Sequence, residues 1–197
     1  MATTHPERSR PVNKNPSLSH YSNGTRVLHW LSVLAITVAF LAMEIREDMA
    51  RSHEWRPLVT QLHFWAGLLV LAVLSARVWL HVSRPTPTII PPPGAWAALA
   101  ARATHVALYA ALLAQPLLGL ATAGADGKIV VVPLVGIALP PLMAASELWA
   151  NRLEDAHGLL ANGLLVLIGL HVAAALWHHF GRRDNTVRRM LWRSSRA

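Results

Sequence analysis

The stretch from Asp155 to Phe180 restricts the possible folds of this chain more than any other feature. Its sequence, DAHGLLANGLLVLIGLHVAAALWHHF, has no charged residue between Asp155 and Trp177. As a helix that rises about 1.5 Å per residue, it is long enough to cross a hydrocarbon layer of about 30 Å. The stretch is therefore predicted to be a transmembrane helix.

Two histidines of this stretch, His157 and His171, are predicted to lie on one helical face. They are fourteen residues apart, which corresponds to about 21 Å of rise and a rotation that returns to within about 40° of the starting direction. One imidazole is therefore expected near each membrane surface. Because an imidazole at membrane depth costs free energy unless it has a partner, the two histidines indicate a functional site.

The composition is that of an integral membrane protein of one domain, with 197 residues, 53% of them apolar and 14% charged. The chain has no cysteine, which excludes disulfides, iron–sulfur clusters, thiolate metal sites and covalently attached haem. Its net charge of +8 comes from basic residues in the tails and at the ends of apolar segments. This pattern is typical of membrane orientation signals, and no nucleic-acid partner is expected.

An all-α fold is predicted, in which four membrane-spanning helices form a bundle. The predicted spans are residues 21–43, 58–80, 96–123 and 155–180. The proline-rich linker SRPTPTIIPPPG ends the second span, because proline cannot continue a helix. Residues 124–152 are predicted to be a loop, whose apolar run IVVVPLVGIALPPLM is expected to lie on the membrane surface. The domain organisation is completed by residues 1–20 as a polar cytoplasmic tail and residues 181–197 as a basic cytoplasmic tail.

The distribution of charge predicts the orientation of the four spans. Thirteen of the eighteen Lys and Arg residues fall on the side of the two termini and five on the other side. Since basic residues concentrate on the cytoplasmic side of a membrane, both termini are expected in the cytoplasm.

Four histidines can be matched in depth across this bundle. His63 lies about one and a half turns into the second span, level with His157. His29 lies about eight residues into the first span, level with His171. The two pairs are expected to be stacked about 20 Å apart, an arrangement that suits two bis-histidine b-type haems. Zinc is disfavoured, because two histidines would leave each zinc ion short of ligands.

Four passages of the chain resemble the bacterial cytochrome b(561) family: RVLHWLSVLAITVAFLAMEIR, LHFWAGLLVLAVLSARVWLHVSRPTPTIIPPP, THVALYAALLAQPLLGL and HGLLANGLLVLIGLHVAAALWHHFGRRDNTVRRM. These proteins are small dihaem four-helix membrane cytochromes, and the resemblance is strongest to the superoxide oxidases among them. It covers nearly all of residues 21–192.

The resemblance implies a location, a ligand set and an activity. The location is the bacterial inner membrane. His29 and His171 would be the axial ligands of an inner haem b, and His63 and His157 those of an outer haem b. Superoxide would be oxidised at the periplasmic face and its electrons delivered to ubiquinone, so membrane lipid, superoxide and ubiquinone are the expected partners.

Several further residues are candidates for the two sites. Arg26 and Arg77 lie at the inner membrane boundary, where they suit haem propionates but also suit ordinary topology signals. His178, at the inner end of the fourth span, is a candidate for protonating a quinone. His105 is expected to have a structural or interfacial role.

The charge of the outer loops does not favour superoxide. These loops hold five basic and eight acidic residues, whereas an anionic substrate is steered by positive charge. A local cluster of Arg51, Arg56 and Arg152 near the outer haem would remove this difficulty, and the sequence alone does not show whether they meet.

The leading hypothesis is a superoxide:quinone oxidoreductase that needs no catalytic side chain beyond the haem ligands. The alternative is a cytochrome b subunit that carries electrons between a dehydrogenase or hydrogenase partner and the quinone pool. A four-span transporter without haem is a third hypothesis.

Overall fold

A computed structural model describes residues 20–192, which form four long α-helices joined by shorter segments. The helices are α1 (Asn23–Asp48), α2 (Arg56–Ser83), α3 (Ala95–Ala125) and α4 (Glu147–Leu176), and α4 continues into a π-helical turn, Trp177–Gly181. All four are long and apolar enough to cross a membrane. Within residues 20–192 there is no β-strand, only an isolated bridge. The predicted all-α class with four membrane-spanning helices is confirmed.

The start of α4 differs most from the prediction. This helix begins at Glu147, eight residues before the predicted span, so residues 147–152 are helical and their assignment to a loop was wrong. The loop was predicted from the length and prolines of its apolar run, but its last residues, with Arg152 among them, form polar first turns of about 12 Å that extend the apolar part of the helix. Hydropathy therefore located the apolar segment rather than the start of the helix. Of the tails predicted at 1–20 and 181–197, residues 1–19 and 193–197 lie outside the described residues.

The helices pack in chain order, and one side of the bundle is open. The backbone of α1 packs on α2, α2 on α3, and α3 on α4. In the described part of the chain, the backbone of α4 does not pack closely on α1 or α2. A small core joins the helices in the middle of the bundle: Ala35, Val70, Leu74, Leu112 and Leu164. The side chains of α4 therefore reach the core across a gap between backbones.

The terminal end of the bundle, where α1 begins and α4 ends, is covered by residues 182–192. The guanidinium of Arg26 donates to the carbonyl oxygen of Leu191 at 2.8 Å. The N–H of Asn185 donates to the carbonyl oxygen of Ile90, in the linker between α2 and α3. The chain after α4 thus joins the start of α1 to this linker.

The opposite end, called the loop end below, contains the apolar run between α3 and α4. The side chains of Gln61 and Trp65 on α2 donate to the carbonyl oxygens of Ile129 (2.9 Å) and Val131 (2.8 Å). The turn within this apolar run exposes the whole side chain of Leu134. These bonds hold the run beside α2, with an apolar edge directed outwards, as an interfacial loop requires.

Asn185→Ala is expected to loosen the linker between α2 and α3. The Ile90 N–H donates to Asn185 Oδ1 at 2.9 Å, and the Asn185 amide donates to the carbonyl oxygen of Thr88 at 3.4 Å. Because the bonds lie near the surface, their loss should cost about 1 kcal/mol, or roughly fivefold faster amide exchange in the linker. Hydrogen exchange followed by mass spectrometry measures this rate. Asn151→Ala, an exposed site at the loop end, is the control, and equal exchange in both variants would contradict the expectation.

Candidate functional site

One face of α4 holds both of its membrane-depth histidines and points into the bundle. His157, Leu164, Ile168 and His171 are buried or half-buried, whereas residues between them such as Val166 are exposed. This pattern follows the helical repeat of 3.6 residues. The two imidazoles therefore face the gap that separates α4 from α1 and α2.

The histidine pair at the loop end consists of His63 on α2 and His157 on α4. Their ring centres are 6.1 Å apart, and the rings are inclined at 80°. Two imidazoles that share one metal ion through bonds of about 2 Å have ring centres roughly 6 Å apart. The spacing of this pair is therefore that of two axial ligands.

The hydrogen bonds of His63 leave one ring nitrogen available. Its Nδ1 lies 2.9 Å from the carbonyl oxygen of Ala39 and can donate to it. A histidine whose Nδ1–H is bound to a carbonyl offers Nε2 as a ligand, which is the usual arrangement of metal-binding imidazoles.

The surroundings of His157 include two residues of α3 that the sequence analysis did not single out as site residues. Gln115 donates from its amide to the carbonyl oxygen of His157 at 3.0 Å, and this amide also lies 3.2 Å from His157 Nε2. The Nδ1 of His157 and the Oε1 of Gln115 are buried without hydrogen-bond partners. A Cβ on Gly119 would lie 3.1 Å from the His157 ring. Gly119 thus provides the space for this imidazole, and ligation through Nε2 requires the Gln115 amide to release it.

The terminal end has three histidines at one level. The ring centres of His105 on α3 and His171 on α4 are 5.4 Å apart, and His29 on α1 is close enough for electrostatic interaction with both. His105 is exposed, whereas His29 and His171 are half-buried. The structure therefore places His171 against His105, with His29 within electrostatic range of both.

Arg77 lies in the bundle beside His29 without an acidic partner. It donates to Ser32 Oγ at 3.1 Å, approaches His29 Nδ1 at 3.4 Å and lies over the ring of Tyr109. None of the ion pairs among residues 20–192 includes it. A half-buried guanidinium of this kind is suited to bind a carboxylate.

Arg26, the other candidate for binding a haem propionate, already interacts with other groups of the protein. Besides its bond to Leu191, it donates to Asn23 and lies over the ring of Trp192. The structure therefore favours Arg77 over Arg26 for an anionic ligand.

His178 lies in the π-helical turn that follows α4. Its Nδ1 is 2.5 Å from Oδ2 of Asp184, whose side chain is fully buried. Burial would by itself raise the pKa of Asp184, but the hydrogen bond from His178 and that from the backbone N–H of Thr186 lower it to about 2. Asp184 is therefore ionised at neutral pH. The sequence pattern gives no sign of this contact, because it depends on the turn of the chain after Gly181.

A basic cleft of about 560 Å³ lies at the loop end. Its cationic lining residues are Arg46, Arg51, Arg56 and Lys128, with one acidic residue, Glu54. The cleft also includes Gln61 and Phe64, which lie two positions before and one position after His63 in α2. Two members of the suggested cluster, Arg51 and Arg56, line the cleft together with Arg46 and Lys128, which were not predicted to belong to it. The third, Arg152, lies outside the cleft and contacts Trp149.

The chain is similar to known membrane cytochromes over most of its length. The sequence profile described as prokaryotic cytochrome b561 matches residues 20–193. Cytochrome b561 homolog 1 of Escherichia coli K12 is 31% identical over 88% of this chain and 98% of its own length. A probable superoxide oxidase of Yersinia pestis is 32% identical over 83% of this chain and 91% of its own. Cytochrome b561 homolog 2 of Escherichia coli K12 is 33% identical over 85% of this chain and 88% of its own.

The chain belongs to the prokaryotic cytochrome b561 family. It is therefore a bacterial membrane protein of haem electron transfer, with haem of the b type. The structure fits this cofactor, since α4 is held away from α1 and α2 and a histidine pair spans the gap at ligand spacing. A metal ion without haem fits less well, because no three His, Asp or Glu side chains within residues 20–192 converge on one point.

Alanine at either member of a pair is expected to remove one haem while the other stays bound. His63→Ala and His157→Ala should empty the loop-end position, and His29→Ala and His171→Ala the terminal-end position. His105→Ala is the matched control and should retain both haems. A pyridine haemochrome count per chain measures the result. Loss of a haem from His105→Ala, with none lost from His29→Ala, would reverse their assignment.

Arg77→Gln is expected to lower the midpoint potential of the terminal-end haem, because removing a nearby cation disfavours the added electron. If the guanidinium contributes about 1.4 kcal/mol, the decrease is about 60 mV. A spectroelectrochemical titration measures it, with Arg84→Gln, an exposed site at the end of α2, as the control. An unchanged potential would show that Arg77 does not face the haem.

Proposed function

We propose that this protein is a superoxide oxidase, which takes electrons from superoxide at the loop end and delivers them to ubiquinone at the terminal end. The basic cleft next to His63 is the observation that favours this activity most. The similarity to a probable superoxide oxidase supports it independently. In this proposal the bundle holds two haems b, one at each histidine pair.

The basic cleft explains how an anionic substrate approaches this end although the loops there carry a net negative charge. Although acidic residues outnumber basic ones on this side, the lining of the cleft has four cations and one acid. Arg56 is fixed by bonds to the carbonyl oxygens of Arg46 (2.7 Å) and Met49 (2.5 Å). A concave basic surface concentrates small anions and raises their rate of encounter. Superoxide would therefore reach the loop-end pair in spite of the net negative charge.

The residues of the chain have positioning and charge roles in this activity. Haem b, when bound, supplies reversible one-electron chemistry between the two ends. The histidine pairs hold the two haems at fixed depths, Arg77 balances negative charge near the terminal-end pair, and the cleft attracts the substrate. No side chain needs to act as a nucleophile.

The quinone would bind near His178, at the terminal end. This residue is seven positions after His171 on the continuing helix, about 10 Å along the axis, so a quinone there would be near the terminal-end haem. Its imidazole is partly exposed and can donate a proton to a reduced quinone.

The last part of the proposal is the orientation of the bundle in the membrane. With both termini in the cytoplasm of a bacterial inner membrane, the loop end faces the periplasm and the quinone is reduced on the cytoplasmic side. The excess of basic residues on the terminal side supports this orientation.

The direct test mixes the oxidised, purified protein with superoxide and then with a soluble ubiquinone analogue, and follows the haem absorbance by stopped flow. We expect superoxide to reduce the haems and the quinone to reoxidise them. Haems that do not react with superoxide would contradict the oxidase function and favour the electron-transfer subunit. In that case a dehydrogenase or hydrogenase partner should co-purify.

Arg51→Gln should slow the reduction of the haems by superoxide roughly two- to threefold at low ionic strength, because one cation is removed from the cleft. The difference should become smaller as salt screens the charges. Arg152→Gln is the matched control, since it removes the same charge at the same end but outside the cleft. Equal rates in the two variants would contradict steering by the cleft.

A further inference from the structure

The chain after α4 holds a buried carboxylate against His178. Asp184 is the only acidic residue after Asp155 in the sequence, and its side chain has no solvent exposure. One oxygen, Oδ2, lies 2.5 Å from His178 Nδ1, and the other, Oδ1, accepts the backbone N–H of Thr186 at 2.9 Å. The carboxylate is therefore fixed in position and directed at one ring nitrogen.

The local backbone is shaped for this contact. The π-helical turn Trp177–Gly181 widens the end of α4, and the chain then reverses at Arg183, whose φ is 52°. The N–H of Asp184 bonds to the carbonyl oxygen of His178 at 3.2 Å, which brings the two side chains together. A Cβ on Gly181 would lie 2.9 Å from the ring of Trp177, so this close turn requires glycine. π-Helical turns of this kind are frequent at functional sites.

Few other charges face His178. Arg182 lies 3.5 Å from the same oxygen of Asp184, and His179 is the neighbouring titratable residue on the turn. In the part of the chain that the structure describes, no helix other than α4 packs on this turn, and the last two turns of α4 before it have no charged residue. The ionised carboxylate of Asp184 is therefore the main negative charge acting on the imidazole.

We infer that Asp184 is the positioning residue of the quinone-reducing site: its carboxylate holds a proton on Nδ1 of His178, so that Nε2 donates the proton that a reduced quinone takes up. This inference rests on the proposed quinone site at His178. A carboxylate bound to one nitrogen of a histidine fixes its orientation and stabilises its cationic form, as in other acid–histidine pairs.

The reaction balances with the reactants already named. Two superoxide anions each lose one electron and become dioxygen, and one quinone gains two electrons and two protons to become a quinol. His178 transfers a proton from Nε2 to a quinone oxygen, water on the terminal side returns a proton to the ring, and a second transfer from Nε2 completes the quinol. Asp184 stays ionised throughout, so it holds the imidazole in place during the proton transfer and takes up no proton itself.

The test uses the haem-loaded protein reduced beforehand with dithionite, so that it does not depend on superoxide. The rate at which a soluble ubiquinone analogue reoxidises the haems is measured as a function of pH in wild type and in Asp184→Asn. In Asp184→Asn the rate should decline at lower pH than in wild type, because the carboxylate that faces Nδ1 of His178 is lost. Asp184→Glu, which keeps a carboxylate, should restore the wild-type profile. Asp126→Asn, which removes a carboxylate at the loop end, should have no effect.

The double variant separates a functional from a structural role. If Asp184 acts through His178, then Asp184→Asn should add nothing in a His178→Gln background. An unchanged pH profile in Asp184→Asn, an equal effect in both backgrounds, or loss of haem from Asp184→Asn would each overturn the inference.

If wild-type haems are not reoxidised by quinone at all, then the proposed quinone reduction has failed, and the inference that rests on it fails with it. If they are reoxidised by quinone but are not reduced by superoxide, only the superoxide half of the proposed function has failed.

Discussion

The cost of placing imidazoles inside a membrane is the constraint on which the rest of this structure depends. Buried in hydrocarbon, a histidine without a partner is unfavourable, and α4 has two of them on the face that points into the bundle. His63 of α2 meets His157 at the loop end, and at the terminal end His105 of α3 meets His171, whose predicted fellow ligand is His29 of α1. Because α4 stays apart from α1 and α2, the space between the pairs suits a flat prosthetic group rather than a direct helix contact.

The two ends of the bundle differ in charge in a way that suits different chemistry. At the loop end, cations from α1, α2 and the chain after α3 meet in one cleft, although the sequence there is acidic on balance. At the terminal end of the described residues, Asp184 is buried beside Arg182 and directed at His178. One end is thus suited to collect a small anion, and the other to control a proton.

The fold could be predicted from the sequence because hydropathy and helical spacing are local properties. Each span contains a long apolar run, and the fourteen-residue separation of His157 and His171 is enough to place both on one face. The start of α4 was predicted too late, since charged residues in a helix that leaves the membrane resemble those of a loop.

The parts of the site that were not predicted depend on residues distant in sequence or on exact turns. Lys128 joins the cleft of Arg56 only because the loop after α3 is tied to α2. Gln115 and Gly119 approach His157 through the packing of α3 on α4, and a lone glutamine in an apolar span gives no sign of this contact. The bond between Asp184 and His178 depends on a widened helical turn that has no simple sequence signal.

The central claim is that two histidine pairs hold two b-type haems at different depths. Electron paramagnetic resonance of the oxidised, purified protein at low temperature, combined with a haem count, tests it most directly. We expect two haems per chain and two distinct low-spin signals, because each iron has two imidazole ligands. A single haem per chain, or a high-spin signal from an iron with an open position, would contradict the account.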